Sequence, residues 1–238
     1  MTRDMQYVGQ HVAPRMPRCV GIIMDGNRRW AQTHGLPPHK GHERGFETLR
    51  KVVDWCKEKG VQHLVVYAFS TENRGRAEEE VAYIMDLGRK LLRDESPKLV
   101  RQGVSVHVIG DVKRFPVDIQ EMIHDIQSKQ VSNAAHHLWV AASYGGRAEI
   151  LHAVNALLNK NASLVDEEGF TNELWTSGMP DPDLVIRTGG EQRLSNFLPW
   201  QTVYSELFFV PTYWPDFTKE VFEDILTQYA QRERRYGK

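Results

Sequence analysis

The residues able to do chemistry gather where short apolar runs end. Cys19-Val20-Gly21-Ile22-Ile23-Met24 stops abruptly at Asp25-Gly26-Asn27-Arg28-Arg29-Trp30. A carboxylate, a glycine-bearing turn and two guanidinium groups therefore share one corner. That mixture suits a metal-bound, anionic ligand. A lone carboxylate repels phosphate, whereas one holding Mg²⁺ beside arginines grips it. Asp-Gly and Gly-Asn are also ordinary turn formers, so this junction alone leaves both readings open.

Two further junctions repeat the pattern. Leu64-Val65-Val66-Tyr67-Ala68-Phe69 runs into Ser70-Thr71-Glu72-Asn73-Arg74-Gly75-Arg76. Ser70 and Thr71 ahead of Glu78, Glu79 and Glu80 predict a capped helix start, which leaves Arg74 and Arg76 unexplained. Leu184-Val185-Ile186 runs into Arg187-Thr188-Gly189-Gly190-Glu191-Gln192-Arg193-Leu194-Ser195-Asn196. Guanidinium groups bind phosphate bidentately, and the Gly-Gly turn can add backbone donors, so this stretch suits a diphosphate. Three such corners on one sheet edge imply a single site collecting two phosphorylated groups. Trp30, Phe46, Tyr67 and Phe69 either belong to the core or line a greasy pocket.

His34, His39 and His42 have a spacing that could suggest a metal site, but Pro37 and Pro38 are expected to interrupt any helix aligning them. Of the three, His42 is assigned a phosphate or proton role. His136-His137 reads as a solvated loop. Neither Gly-x-Gly-x-x-Gly nor a P-loop pattern occurs, which argues against a dinucleotide enzyme or a P-loop NTPase.

The elements that must position these corners alternate along the chain. Strands are predicted at Val20–Met24, Leu64–Phe69, Val104–Gly110, Leu138–Tyr144, Leu184–Arg187 and Leu207–Val210. Helices are predicted at Gly45–Lys59, Glu78–Gln102, Pro116–Lys129, Arg147–Asn159, Asp166–Ser177 and Thr218–Arg234. Leu49, Val52, Val53 and Cys56 share one face of the first. The fold class is α/β: one domain built on a mostly parallel sheet flanked by helices. The 238 residues carry a net charge of −1, so nucleic acid is not an expected partner. Two cysteines, Cys19 and Cys56, are too few for a disulfide framework or cysteine-based zinc. No apolar run approaches the roughly 18 residues of a membrane span. Residues 1–18 are expected to form a mobile arm ahead of a catalytic domain at 19–238, and the expected location is the cytoplasm.

In order along the chain, these motifs closely resemble the cis-prenyltransferase (isoprenyl transferase) family, whose type member is undecaprenyl diphosphate synthase. The likeness is carried by Ile22–Ala31, Gly41-His42, Tyr67–Asn73, Ala142–Arg147, Asp183–Glu191 and Arg193–Phe197. Tyr204–Leu207, Trp214–Phe217 and Arg234–Gly237 complete it. The resemblance implies a six-stranded parallel sheet and a homodimer. It also implies Mg²⁺-dependent addition of isopentenyl diphosphate to an allylic diphosphate such as farnesyl diphosphate, each new double bond being cis. The implied product is a long-chain lipid-carrier precursor for cell-wall glycan synthesis, released with peripheral membrane contact.

By the same resemblance Asp25 holds Mg²⁺ with Glu206 as a second metal ligand, and Asn73 assists proton loss. Gly26, Asn27, Arg28 and Arg29 cradle the allylic diphosphate with Arg76 and His42 assisting, and Trp30, Ser70, Thr71, Glu72, Arg74 and Leu194 are further substrate-binding residues. Arg187, Arg193 and Ser195 serve isopentenyl diphosphate, and Arg235-Tyr236-Gly237 closes the site across the dimer. A chain tunnel is expected from Val66, Ala68, Val81, Ile84 and Met85. The sequence departs from the family pattern at Pro38, Arg74, Ala77 and Gln192. Two rivals remain at this point: a phosphohydrolase using Asp25 as nucleophile, although Asn27 stands where a second carboxylate is usual, and a non-catalytic accessory subunit.

Overall fold

Residues 16–232 are described by a computed structural model. The expectations for residues 1–15 and for Arg235-Tyr236-Gly237 lie outside them. In chain order the elements are β1 (Cys19–Ile23), α1 (Asn27–Thr33), α2 (Pro38–Glu58), β2 (His63–Ser70), α3 (Glu78–Lys90), α4 (Ser96–Arg101) and β3 (Val104–Ile109). There follow α5 (Val117–Ser128), β4 (His136–Tyr144), α6 (Gly146–Asn159), α7 (Glu167–Thr171), β5 (Leu184–Arg187), β6 (Glu206–Phe209) and α8 (Lys219–Ala230).

All six strands pair in parallel, in the order β3-β4-β2-β1-β5-β6. Continuous apolar runs make such strands because both sheet faces are covered. In β1 the alternation is visible: Val20 and Ile22 pack into the cluster under α2 and α8, while Cys19 and Ile23 pack on the other face with Phe197 and Leu198. From β1 the chain extends one way through β2 and the other through β5. The loops leaving β1, β2 and β5 therefore meet at a reversal of strand order, where open α/β sheets bind ligands.

Several elements differ from expectation for identifiable reasons. Gly26, with φ of 107°, turns the chain straight from β1 into α1, a helix the Asp-Gly-Asn turn signal concealed. Pro38 does not interrupt a helix but starts one, because the first helical turn needs no N–H there. His39 and His42 consequently lie inside α2, while His34 follows α1.

The helix expected over Glu78–Gln102 is divided by a π-helical turn at Leu91–Glu95. Pro97, in the first turn of α4, has no N–H to continue the ladder, and the Ser96 hydroxyl bonds the Leu91 carbonyl at 2.9 Å instead. The helix expected over Asp166–Ser177 ends at Thr171. Further on, the Thr176 N–H turns away to the buried Glu149 carboxylate at 2.9 Å. His136 and His137 are not in a solvated loop. They open β4, where the His137 ring stacks 4.5 Å from His63 and shares a 3.1 Å hydrogen bond with His107.

Candidate active site

Asp25 stands two residues past the end of β1, and its backbone is pinned by one hydroxyl. Thr188, fully buried, accepts from the Asp25 N–H at 3.0 Å and donates to the Asp25 carbonyl at 2.7 Å. A side chain at Gly26 would meet Tyr213 at 2.7 Å. The Asp25 carboxylate is thus presented at a fixed place, with one oxygen 2.9 Å from Arg187 Nη2 and the other 3.1 Å from Arg29 Nη2.

Arg187 ends β5 and is buried to 5 % exposure. Its second terminal nitrogen donates to Ser195 Oγ at 2.8 Å and to the Arg193 carbonyl. One guanidinium therefore joins the Asp25 corner to the Arg193–Ser195 loop. Its Nε is buried without a hydrogen-bond partner, as is Asn27 Oδ1. The Arg193 side chain is exposed and pairs with Glu191, which also lies 3.6 Å from Arg29. Leu194 packs with the cluster around Phe197.

A second basic group forms across the cleft. His42 from α2, Arg76 and Arg28 converge on Glu80 at 3.0, 2.8 and 3.7 Å. Glu80 belongs to the acidic run expected only to start a helix. Burial works to raise its carboxyl, but the bonds and charges of His42, Arg76 and Arg28 outweigh it and hold Glu80 below the usual range. Burial lowers His42, and Glu80 partly offsets this.

Ser70 and Asn73 cap one another after β2: the Asn73 N–H donates to Ser70 Oγ at 3.2 Å and the Ser70 N–H to Asn73 Oδ1 at 3.1 Å. The expected capping partner was a glutamate, and the amide takes that place. Thr71 donates to Glu72 at 3.0 Å.

These groups bound a polar cleft, open to solvent, with Asp25, Asn27, His42, Asn73, Arg187 and Ser195 on its walls. At Met24, Ala68 and Ile84 it meets a second, apolar cavity between the sheet, α2, α3 and α5. Phe46, Phe69, Met85 and Leu91 line this channel, with Phe115, Ile119 and Ile123 on its α5 side. Of the expected tunnel residues, Ala68, Ile84 and Met85 line it. Val66 is instead fully buried in the core, and Val81 is not on the wall.

Some expected members are not gathered. Trp30 sits apart, donating to Asp216 at 2.8 Å and stacking on His34 at 4.3 Å. Glu206 starts β6 opposite Leu184, three pairs before the Phe209–Arg187 pair, and its carboxylate is held by Arg232. It does not reach Asp25 within one chain. Arg74's side chain lies outside the described part. Among the described residues no three His, Cys, Asp or Glu side chains converge as a metal cage, and no helix is long and apolar enough to cross a membrane.

Thr188, Glu191 and Asn196 carry no role in the sequence reading, and Glu80 only that of starting a helix. Thr188, Glu191 and Asn196 lie inside its motifs, and only folding shows what each touches.

A family model described as putative undecaprenyl diphosphate synthase matches residues 23–237. The chain is 46 % identical to the isoprenyl transferase of Chromobacterium violaceum, over 93 % of this chain and 88 % of that protein. It is 43 % identical to the isoprenyl transferase of Aquifex aeolicus, over 94 % and 97 %. Its fold is similar to that of lavandulyl diphosphate synthase from Lavandula x intermedia, solved in complex with dimethylallyl diphosphate. There the TM-score is 0.89 and the identity 33 %, covering 94 % of this chain and 99 % of that one. A probable undecaprenyl diphosphate synthase from Campylobacter jejuni gives a TM-score of 0.79 at 32 % identity, over 94 % and 100 %.

Proposed function

The chain belongs to the isoprenyl transferase family of undecaprenyl diphosphate synthases, and from that premise we propose that it condenses isopentenyl diphosphate with an allylic prenyl diphosphate to form a cis polyprenyl diphosphate. One observation carries the reading: two basic groups flank Asp25 in a single cleft that opens into an apolar channel.

Arg28, His42 and Arg76 bind the allylic diphosphate, displacing the Glu80 carboxylate they hold in this structure. Arg187, Arg193 and Ser195 bind the diphosphate of isopentenyl diphosphate. As the allylic C–O bond breaks, negative charge grows on the leaving diphosphate, and preorganised guanidinium groups lower that barrier. Asn73, held in its cap with Ser70 on the cleft wall, assists the proton loss that ends each condensation. The lengthening chain enters the channel past Ala68 and Ile84.

The donor set fits Mg²⁺. Such an ion is commonly held by one or two carboxylates together with substrate phosphates, and Asp25 offers one partly exposed carboxylate in the cleft. When bound, the ion supplies charge neutralisation of the diphosphate. A metal role for Glu206 requires a second copy of the chain. Exposed Leu151 and Leu158 on α6, with Val203, Tyr204 and Leu207 around β6, support a homodimer. The reading extends to a lipid-carrier precursor for cell-wall glycan synthesis, with peripheral membrane contact at product release.

The test is incubation of the purified chain with farnesyl diphosphate, labelled isopentenyl diphosphate and Mg²⁺, with products read by mass spectrometry. Chain growth is expected, and chelation of the metal stops it. Phosphate release without growth would establish a hydrolase instead. Growth only on adding another protein would make this an accessory subunit.

A further inference from the structure

We propose that Asn196 is a positioning residue that locks the two diphosphate subsites together, through bonds to the β2 loop on one side and the start of α6 on the other. The inference rests on the assignment of the two subsites above.

The Arg193–Leu198 segment is under backbone strain. Ser195, Asn196 and Leu198 have φ of 49°, 68° and 52°, a left-handed region costly for side chains other than glycine. Such a conformation persists only where its surroundings over-determine it. Part of that hold is apolar: Phe197 is fully buried and stacks 4.8 Å from Tyr67. The polar part centres on Asn196.

Helix α6 begins at a corner that cannot cap itself. Its N-cap is Gly145, which has no side chain to offer. A side chain there would meet Thr71 Oγ1 at 2.6 Å and Asn196 Nδ2 at 2.8 Å, so the corner must stay bare. Asn196 supplies the missing acceptors from a distance. Its carbonyl accepts from the Gly146 N–H at 2.8 Å, and its Oδ1 accepts from the Arg147 N–H at 2.9 Å. The same amide then donates from Nδ2 to Glu72 Oε1 at 3.0 Å.

Three loops therefore meet at one side chain: the turn after β2, the β4–α6 corner, and the loop after β5. The adjoining residue, Ser195, receives Arg187 Nη1, whose other terminal nitrogen holds Asp25. Links run without a break from Glu72 through Asn196 and Ser195 to Arg187 and Asp25. Asparagine is the residue this position needs. It carries a donor and an acceptor on one short side chain and tolerates positive φ. Aspartate lacks the donor, and glutamine is one methylene too long.

The consequence is that disturbing Asn196 loosens both subsites, although it lies in only one of the two loops. Two variants and one reversal test this by steady-state kinetics with each substrate varied in turn. Asn196→Asp keeps the acceptor for Arg147 but sets a second carboxylate against Glu72. It is expected to raise KM for both the allylic and the isopentenyl diphosphate by about tenfold. Glu72→Ala changes an exposed side chain outside the strained loop and is safe for folding. It is expected to raise KM for isopentenyl diphosphate even though Glu72 lies in the β2 loop that leads to Arg76 of the other subsite. The pair Glu72→Gln with Asn196→Asp reverses donor and acceptor, and is expected to recover most of the loss.

Recovery by the reversed pair, together with the effect of Glu72→Ala on isopentenyl diphosphate, establishes the lock. Additive losses in the reversed pair, or a Glu72→Ala effect confined to the allylic substrate, overturn it while leaving the assigned reaction standing. A wild-type chain that elongates nothing overturns the subsite assignment itself, and the lock with it.

Discussion

Arg187 and Asp25 form a fixed pair: the guanidinium is buried to 5 % side-chain exposure and meets a carboxylate that is 29 % exposed, at 2.9 Å. The buried partner is locked by Ser195 and the Arg193 carbonyl, so the exposed partner is held at one orientation. A lysine offers a point charge and cannot hold all three acceptors at once. Arg187→Lys should lower kcat/KM by about 10²–10³-fold, in the range of losing one preorganised donor. Steady-state kinetics at saturating Mg²⁺ measures this. Asp25→Ala should abolish turnover while circular dichroism stays unchanged. Activity within about tenfold of wild type, ~1.4 kcal/mol of barrier, would remove Asp25 from the centre of the chemistry.

Gly41 sets how closely α1 approaches α2. A Cβ there would lie 2.0 Å from the Asn27 carbonyl oxygen, a backbone atom that cannot swing aside. Gly41→Ala should therefore destabilise the protein by about 1–3 kcal/mol and shift the Asn27–Arg29 segment. Urea unfolding reads the first effect, and a raised KM for the allylic substrate reads the second.

Gly88 is the opposite case. It lies inside α3, lines the channel, and a Cβ there meets nothing within 4 Å. Gly88→Ala should stabilise the protein by about 0.5–1 kcal/mol through helix propensity alone. Gly88→Leu should fill part of the channel and shorten the products. A product distribution by mass spectrometry that did not move would place the growing chain elsewhere.

The stacked histidines of β2, β3 and β4 predict acid sensitivity. Burial, then His137 and Arg18, push His63 down to about 4, and burial and His137 do the same to His107. Unfolded histidine titrates near 6.5, so between about pH 6.5 and about pH 4 the unfolded chain binds protons that the folded chain refuses. Stability from these groups is full above that window and is lost as pH falls through it. Urea midpoints measured across the window should decline, and less steeply in His107→Phe, which retains the ring stack on Trp139.

What the sequence made legible was strand and corner. The β-branched run Val20–Ile23 is legible as a strand because strand burial is local, and the charged set does stand at that strand's end. The helix at Asn27 was hidden, since Gly26 makes the turn and the helix entry in the same residue. Pro38 looked like a breaker because only its place in the first turn decides whether it starts or stops a helix. Glu80, Asn196 and Thr188 could not be assigned from spacing: each acts on residues far away in the chain. Glu206 sits within a motif, yet strand register places it away from Asp25.

Helix α3 has none of its residues buried, although Ile84 and Met85 line the channel. In the proposed reaction each isoprene unit that enters would cover more of that apolar wall, at ~0.8 kcal/mol for every methylene taken from water. Grip on the product thus tightens with its own length. Residence time is then expected to act as a clock that runs slower at each cycle.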